Sequence, residues 1–170
     1  MAVAASPVLC DNDVMIRGEG SALIQGVTAS EVFDFVLDPA QYTKADTKIV
    51  DVTKLGDIPD GMIAREDGKF LGVFPGSVIT RYQWSPPNSI DVTLEHGVPA
   101  SMHAWFDIED RDGGAWIHHV EEIAMRPPFG LLWDLAVRRW FARSVREEVA
   151  EIARLMAAGE RGRGFAAHGG

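Results

Sequence analysis

The chain has 170 residues, 46% of them apolar and 24% charged, a balance that suits one globular domain and excludes a disordered chain. A net charge of −9 excludes nucleic acid as the main partner, because a phosphate-binding surface needs a basic stripe. A single cysteine, Cys10, rules out an intrachain disulfide and fits a reducing compartment.

Residues 1–13, MAVAASPVLCDND, lack the charged start and long apolar core of a signal peptide and read as a flexible arm. The stretch MIRGEGSALIQG (15–26) reads as a first strand, bent at its glycines. Thr28 precedes Glu31 by three residues, the spacing of a capping box, and opens a helix. Val32, Phe33, Val36 and Leu37 give it an apolar stripe. Pro39 ends it, since the residue before a proline is pushed out of the helical region. A second short helical turn holds Tyr42.

From residue 47 the texture changes. Runs rich in β-branched and aromatic residues predict strands at 47–55, 62–71, 77–84, 89–96, 102–109 and 115–125. The breaks GDIPDG, GVFPG, SPPN, GVPA and DRDGG are hairpin-sized, so the sheet is expected to be antiparallel. After Pro127 and Pro128, Trp133, Val137, Trp140, Phe141, Val145, Val149, Ile152 and Met156 recur at helical intervals. They predict one long amphipathic helix closing at Gly159, with Arg138, Arg139, Arg143 and Arg146 on a solvated face beside Glu147, Glu148 and Glu151. Residues 160–170 read as a disordered tail, leaving one domain over 14–159.

A sheet with one apolar face must cover it, and only the last helix is long enough. In this order the stretches ALIQGVTASEVFDFVLDPAQYTKAD and DGGAWIHHVEEIAMRPPFGLLWDLAVRRWFARSVREEVAEIARLM resemble the START-like, or SRPBCC, superfamily. The likeness lies in a helix ending in an acidic-Pro pair before a tyrosine, a Gly-Gly hairpin, a last strand and a proline-led final helix. It implies an α+β helix-grip fold, in which a curved antiparallel sheet of about seven strands grips the C-terminal helix and two short helices follow the first strand. Polyketide cyclases and aromatases, lipid-transfer domains and ligand-binding allergens share that fold, so the resemblance speaks to architecture more than to activity.

The last strand carries the chemistry. In WIHHVEEI, residues 116–123, successive side chains point to opposite faces. Ile117, His119, Glu121 and Ile123 form one set, placed inside beside Ala104 and Phe106 of the preceding strand. His118 and Glu122 then face out, and a slip of one residue would reverse the assignment. A buried carboxylate needs a partner. His119 is one candidate for Glu121, and Arg138 or Arg139 another.

His119 and Glu121 are therefore the candidate catalytic pair, set against a purely structural role tying strand to helix. Tyr82, Trp84, Phe106, Trp133, Val137, Trp140 and Phe141 are the candidate ligand-lining residues. Adjacent His118 and His119 diverge on a strand, and His96 and His103 look outward, so no metal is expected, and no cofactor.

The leading expectation is a cytoplasmic protein that binds a hydrophobic small molecule, such as a lipid, polyketide or quinone, between sheet and helix. No run of ~18 apolar residues is present, so no stable membrane insertion is expected. A cyclase, aromatase or dehydratase is the second expectation, with Tyr82 or Arg81 steadying an enolate. A protein-interaction module using Trp105, Trp116 and His118 is the third. A homodimer stays open.

Overall fold

The computed structural model describes residues 14–70, 74–99, 101–125 and 134–166. The elements run β1 (Val14–Gln25), α1 (Ala29–Leu37), α2 (Pro39–Ala45), β2 (Ile49–Ile58), β3 (Gly61–Phe70), β4 (Phe74–Ser85), β5 (Ser89–His96), β6 (Ser101–Arg111), β7 (Gly114–Met125) and α3 (Asp134–Ala166). The seven strands form one antiparallel sheet in the order β1-β7-β6-β5-β4-β3-β2. Every neighbour in that order except β1 and β7 is a hairpin partner, as the short connections predict.

The capping box forms as read. Thr28 Oγ1 accepts from the Glu31 N–H at 3.3 Å, and Glu31 accepts from the Thr28 N–H at 2.9 Å. A second cap carries no local sequence signature: Asp110, at the end of β6, accepts from the Ala29 N–H at 2.7 Å and ties α1 to the sheet. The turn around Tyr42 is a full helix, α2, with Asp38 capping it and Pro39 at its first position.

Bulges in β2, between Ile49 and Asp51 and between Lys54 and Gly56, and one in β5 at Glu95, opposite Ile79 and Thr80, bend the far side of the sheet. On the near side β1 meets α3 without clearance. A Cβ at Gly18 would lie 2.6 Å from Val145 Cγ2, and one at Gly20 would lie 3.1 Å from Arg146 Cα. The glycines read as a bend in the sequence are thus a seat for the helix.

Two apolar clusters hold the concave face. The larger joins α1, the middle strands and the later half of α3 through Val32, Phe33, Ile90, Ile117, Val149 and Ile152. The smaller joins Ile16, Ile123, Val137, Phe141 and Val145 near the start of α3. Members of both clusters line a cavity.

The helix does not close at Gly159. It continues to Ala166, and Gly159 keeps ordinary helical backbone in place of the left-handed conformation of a C-terminal cap. A lone exposed glycine weakens a helix by only about 1 kcal/mol, so it does not stop one by itself. The stretch 126–133, with Pro127, Pro128 and Trp133, lies outside the described residues, as do 1–13 and 167–170.

Candidate functional site

The concave face encloses a cavity of about 420 Å³. Its walls are largely apolar: Val36, Val92, Met102, Phe106, Trp140 and Phe141 are among them. Its floor is not. Tyr42, Asp46, Lys48, Glu66, Tyr82, His119 and Glu121 all reach it.

The β6–β7 register sets the histidine and glutamate. Phe106 pairs with His119 and Ala104 with Glu121, which turns both polar side chains inward as the alternation predicts. His119 is 1% exposed and Glu121 9%. The His119 ring stacks on Phe106, centroids 3.8 Å apart and planes within 3°. Its Nδ1 lies 3.0 Å from the Trp105 carbonyl oxygen, and its Nε2 lies 3.4 Å from Glu148 Oε1.

The partner of Glu121 is neither His119 alone nor an arginine of the helix. It is Lys48, whose Nζ lies 3.1 Å from Glu121 Oε2, 2.8 Å from Glu148 Oε2 and 3.4 Å from Asp46 Oδ1. The backbone fixes this lysine from two sides. Its N–H donates to Asp46 at 2.8 Å, and its carbonyl accepts from the Lys69 N–H at 2.7 Å. Gly68 allows that approach, because a Cβ there would lie 2.4 Å from the Lys48 oxygen.

Glu148 corrects the sequence reading. The charge pattern puts it on the solvated face of the last helix, yet it is 2% exposed. It sits on the stripe formed by Phe141, Val145 and Ile152, at steps of four, three and four residues. That register was the available signal. Besides Lys48 it accepts a 2.6 Å hydrogen bond from the Tyr42 hydroxyl. Glu66, from β3, forms a second polar station: Thr80 and Tyr82 hydroxyls each donate to its Oε1 at 2.7 Å.

Electrostatics divides these acids. Burial pulls the Lys48 ammonium down, but Asp46, Glu121 and Glu148 outweigh it and hold its pKa well above the usual lysine range. Burial also opposes the charged form of Glu148, yet Lys48, His119 and two hydrogen bonds keep it below the ordinary carboxylate range. Asp46 goes the other way. Burial, with Glu148 and Glu121 nearby, overcomes Lys48 and lifts its pKa to about 7. Glu66 is raised by burial against its two hydroxyl donors. Burial and the adjoining carboxylates hold Tyr42 and Tyr82 well above the usual phenol range, so both stay hydroxyl donors.

His119, Glu121 and Glu148 also bring ligand atoms within 4.8 Å of one another, a grouping with the donor types of a metal site. The Lys48 ammonium already stands at hydrogen-bonding distance from both carboxylates and supplies the cation there.

Of the seven residues expected to line a ligand, Tyr82, Phe106, Trp140 and Phe141 do reach the cavity. Trp84 is half-buried and packs against the main core, and Val137 is buried in the smaller cluster. Trp133 lies outside the described residues. Arg81 points away from the cavity and pairs with Glu95, so it is not placed to steady an enolate within it. On the outer face Trp105 and Trp116 are half-buried. The Arg17 guanidinium lies 5.5 Å from one ring and that of Arg111 lies 4.1 Å from the other. No described helix is long and apolar enough to cross a membrane.

Sequence comparison matches no family model and no curated protein. Comparison of structures does find similar folds. The protein TTHA0849 from Thermus thermophilus superposes with a TM-score of 0.70 at 13% identity, over 85% of this chain and 99% of that one. The Zhui aromatase/cyclase from Streptomyces sp. R1128 gives 0.68 at 16% identity, over 92% and 99%. A START superfamily protein from Mycobacterium smegmatis gives 0.66 at 17% identity, over 85% and 97%. With seven curved antiparallel strands closed around one long helix, and with these structural neighbours, the chain has a helix-grip fold.

Proposed function

We propose that the protein binds a hydrophobic small molecule in the cavity between sheet and α3. The observation that carries this reading is the cavity itself: about 420 Å³, with largely apolar walls and a few polar groups among its lining. That is the size and make-up of small-molecule sites generally. Tyr82, Phe106, Trp140 and Phe141 form its aromatic wall. Native mass spectrometry of the protein as purified, followed by denaturing extraction, tests the reading. A near-stoichiometric apolar molecule is expected. Protein that emerges empty and then shows no saturable uptake of the neutral dye Nile red would refute it.

A second reading is an enzyme of the cyclase, aromatase or dehydratase kind. It is favoured by Asp46, whose pKa of about 7 makes it a proton donor and acceptor at neutral pH, beside Glu121 and His119 on the same floor. In this reading Glu121 and His119 carry the proton transfers at a ligand carbonyl. His119→Ala and Glu121→Ala should each lower turnover of a poly-β-ketone substrate at least tenfold. Unchanged turnover in both removes the enzyme reading and leaves the binding one intact.

A further inference from the structure

The cavity floor has an unequal stock of hydrogen-bonding groups, and the inequality specifies a ligand class. The donors on the floor are engaged, while Lys69 and Ser77, which also line the cavity, are exposed to solvent. The Lys48 ammonium faces three carboxylates, from Asp46, Glu121 and Glu148. The Tyr42 hydroxyl donates to Glu148, and the Thr80 and Tyr82 hydroxyls donate to Glu66. Both ring nitrogens of His119 face protein oxygens.

Among the described residues, three carboxylate oxygens of the floor are not engaged: one on Asp46, whose contacts with Lys48 both fall on Oδ1, one on Glu66 and one on Glu121. Thr80 and Tyr82 both use Glu66 Oε1, and Oε2 of that carboxylate makes no hydrogen bond among the described residues. Lys48 approaches Glu121 through Oε2, leaving Oε1 in the same condition. Every fully covered side-chain nitrogen or oxygen among the described residues has a hydrogen-bond partner. Glu66 Oε2 and Glu121 Oε1 therefore are not walled in by protein, and both residues line the cavity. Glu66 is only 7% exposed overall, so the space its free oxygen meets is the cavity and not bulk water.

Resting on the binding reading above, we infer that the ligand is an apolar molecule carrying a hydrogen-bond donor, a hydroxyl or an amine, which it presents to Glu66 and Glu121. A ligand with a carboxylate or phosphate head is excluded. At the floor its charge would enter a low-dielectric space beside Asp46, Glu66, Glu121 and Glu148, where the Lys48 ammonium is already shared among three acids. Lys69, the other lysine on the lining, is exposed to solvent, where water screens its charge. An unpaired buried anion is disfavoured far more strongly than a neutral hydroxyl with an acceptor waiting.

The test uses three probes of matched chain length, 1-decanol, decylamine and decanoate, each titrated against Nile red bound to the full-length protein at neutral pH. The expected result is that decanol or decylamine displaces the dye at least tenfold more effectively than decanoate. Glu66→Gln and Glu121→Gln, each of which adds a donor and removes a charge, should narrow that gap. Preference between the alcohol and the amine identifies which donor is used. Decanoate binding as well as the others, or better, overturns the inference. So does dye that binds but yields to none of the three, and the binding reading then survives. Failure of Nile red itself to bind removes both.

Discussion

At the scale of single residues the centre of the molecule is Lys48. It neutralises carboxylates drawn from a helix cap, the last strand and the last helix, and so holds together elements far apart in sequence. Replacing it with methionine fills similar volume but leaves Glu121 and Glu148 buried without their cation. The expected loss is about 3–5 kcal/mol, measured by urea unfolding, because breaking a buried pair strands its partner charges. Adding Glu148→Gln to that variant should recover part of the loss. Asp46 gives a pH signature. Its folded pKa of about 7 lies above the ordinary value of 3.8, so the folded state holds the proton more tightly. Its favourable contribution is complete below 3.8 and is lost as pH rises through 7. Asp46→Asn should flatten the unfolding free energy across that window, by an amount on the order of 2–4 kcal/mol. An unchanged pH profile would show that Asp46 ionises freely in the native state.

These residues also show where a sequence stops being legible. His119 and Glu121 could be turned inward from alternation alone, because a strand has a period of two and its neighbours were apolar. Lys48 could not be found that way. It sits between α2 and β2, in a stretch whose path depends on Gly68 of another strand. Glu148 was in principle readable, since it falls on an apolar stripe, but glutamate and arginine neighbours on both sides disguised it as surface.

At the scale of elements the decisive contact is β1 against α3. Gly18 and Gly20 are close-approach positions, and their value lies in the side chain they lack. Gly18→Ala should destabilise the fold by about 1–3 kcal/mol, the usual cost of overpacking. The atom a new methyl would meet belongs to Val145, so Val145→Ala in the same chain should be less harmful than the two separate losses summed. Calorimetric unfolding of the four proteins measures that coupling. Element boundaries were legible to within a few residues where glycine, proline or a cap marked them: β5 spans 89–96 as read, and α1 begins after Thr28. The end of α3 was misplaced, because glycine after an apolar stripe signals a stop only when its backbone turns left-handed.

At the scale of the whole molecule, element order was enough for the architecture. One helix was long enough to cover the sheet, and hairpin-sized breaks left an antiparallel arrangement as the natural one. The cavity was a different matter. It depends on how the sheet curves, which bulges in β2 and β5 modify, and a periodicity argument carries no curvature. Its polar floor needed the tertiary meeting of five elements. The charge pattern that restricts the ligand therefore emerges only in the folded chain.

The seating of α3 on glycines has a mechanical consequence. A contact with no slack on the β1 side makes that flank a fixed jaw, while the space beside β3 and β4 lets the other flank give. Amide hydrogens at the centres of β1 and β7 should then exchange with solvent only on global unfolding, and those of β3 and β4 by smaller, more frequent openings. Hydrogen exchange followed by mass spectrometry resolves the two rates, and equal protection of both flanks would contradict the asymmetry. Guests of different girth would be accommodated by a hinge with one moving side, so the fixed jaw sets the ligand's orientation and the yielding one sets its size.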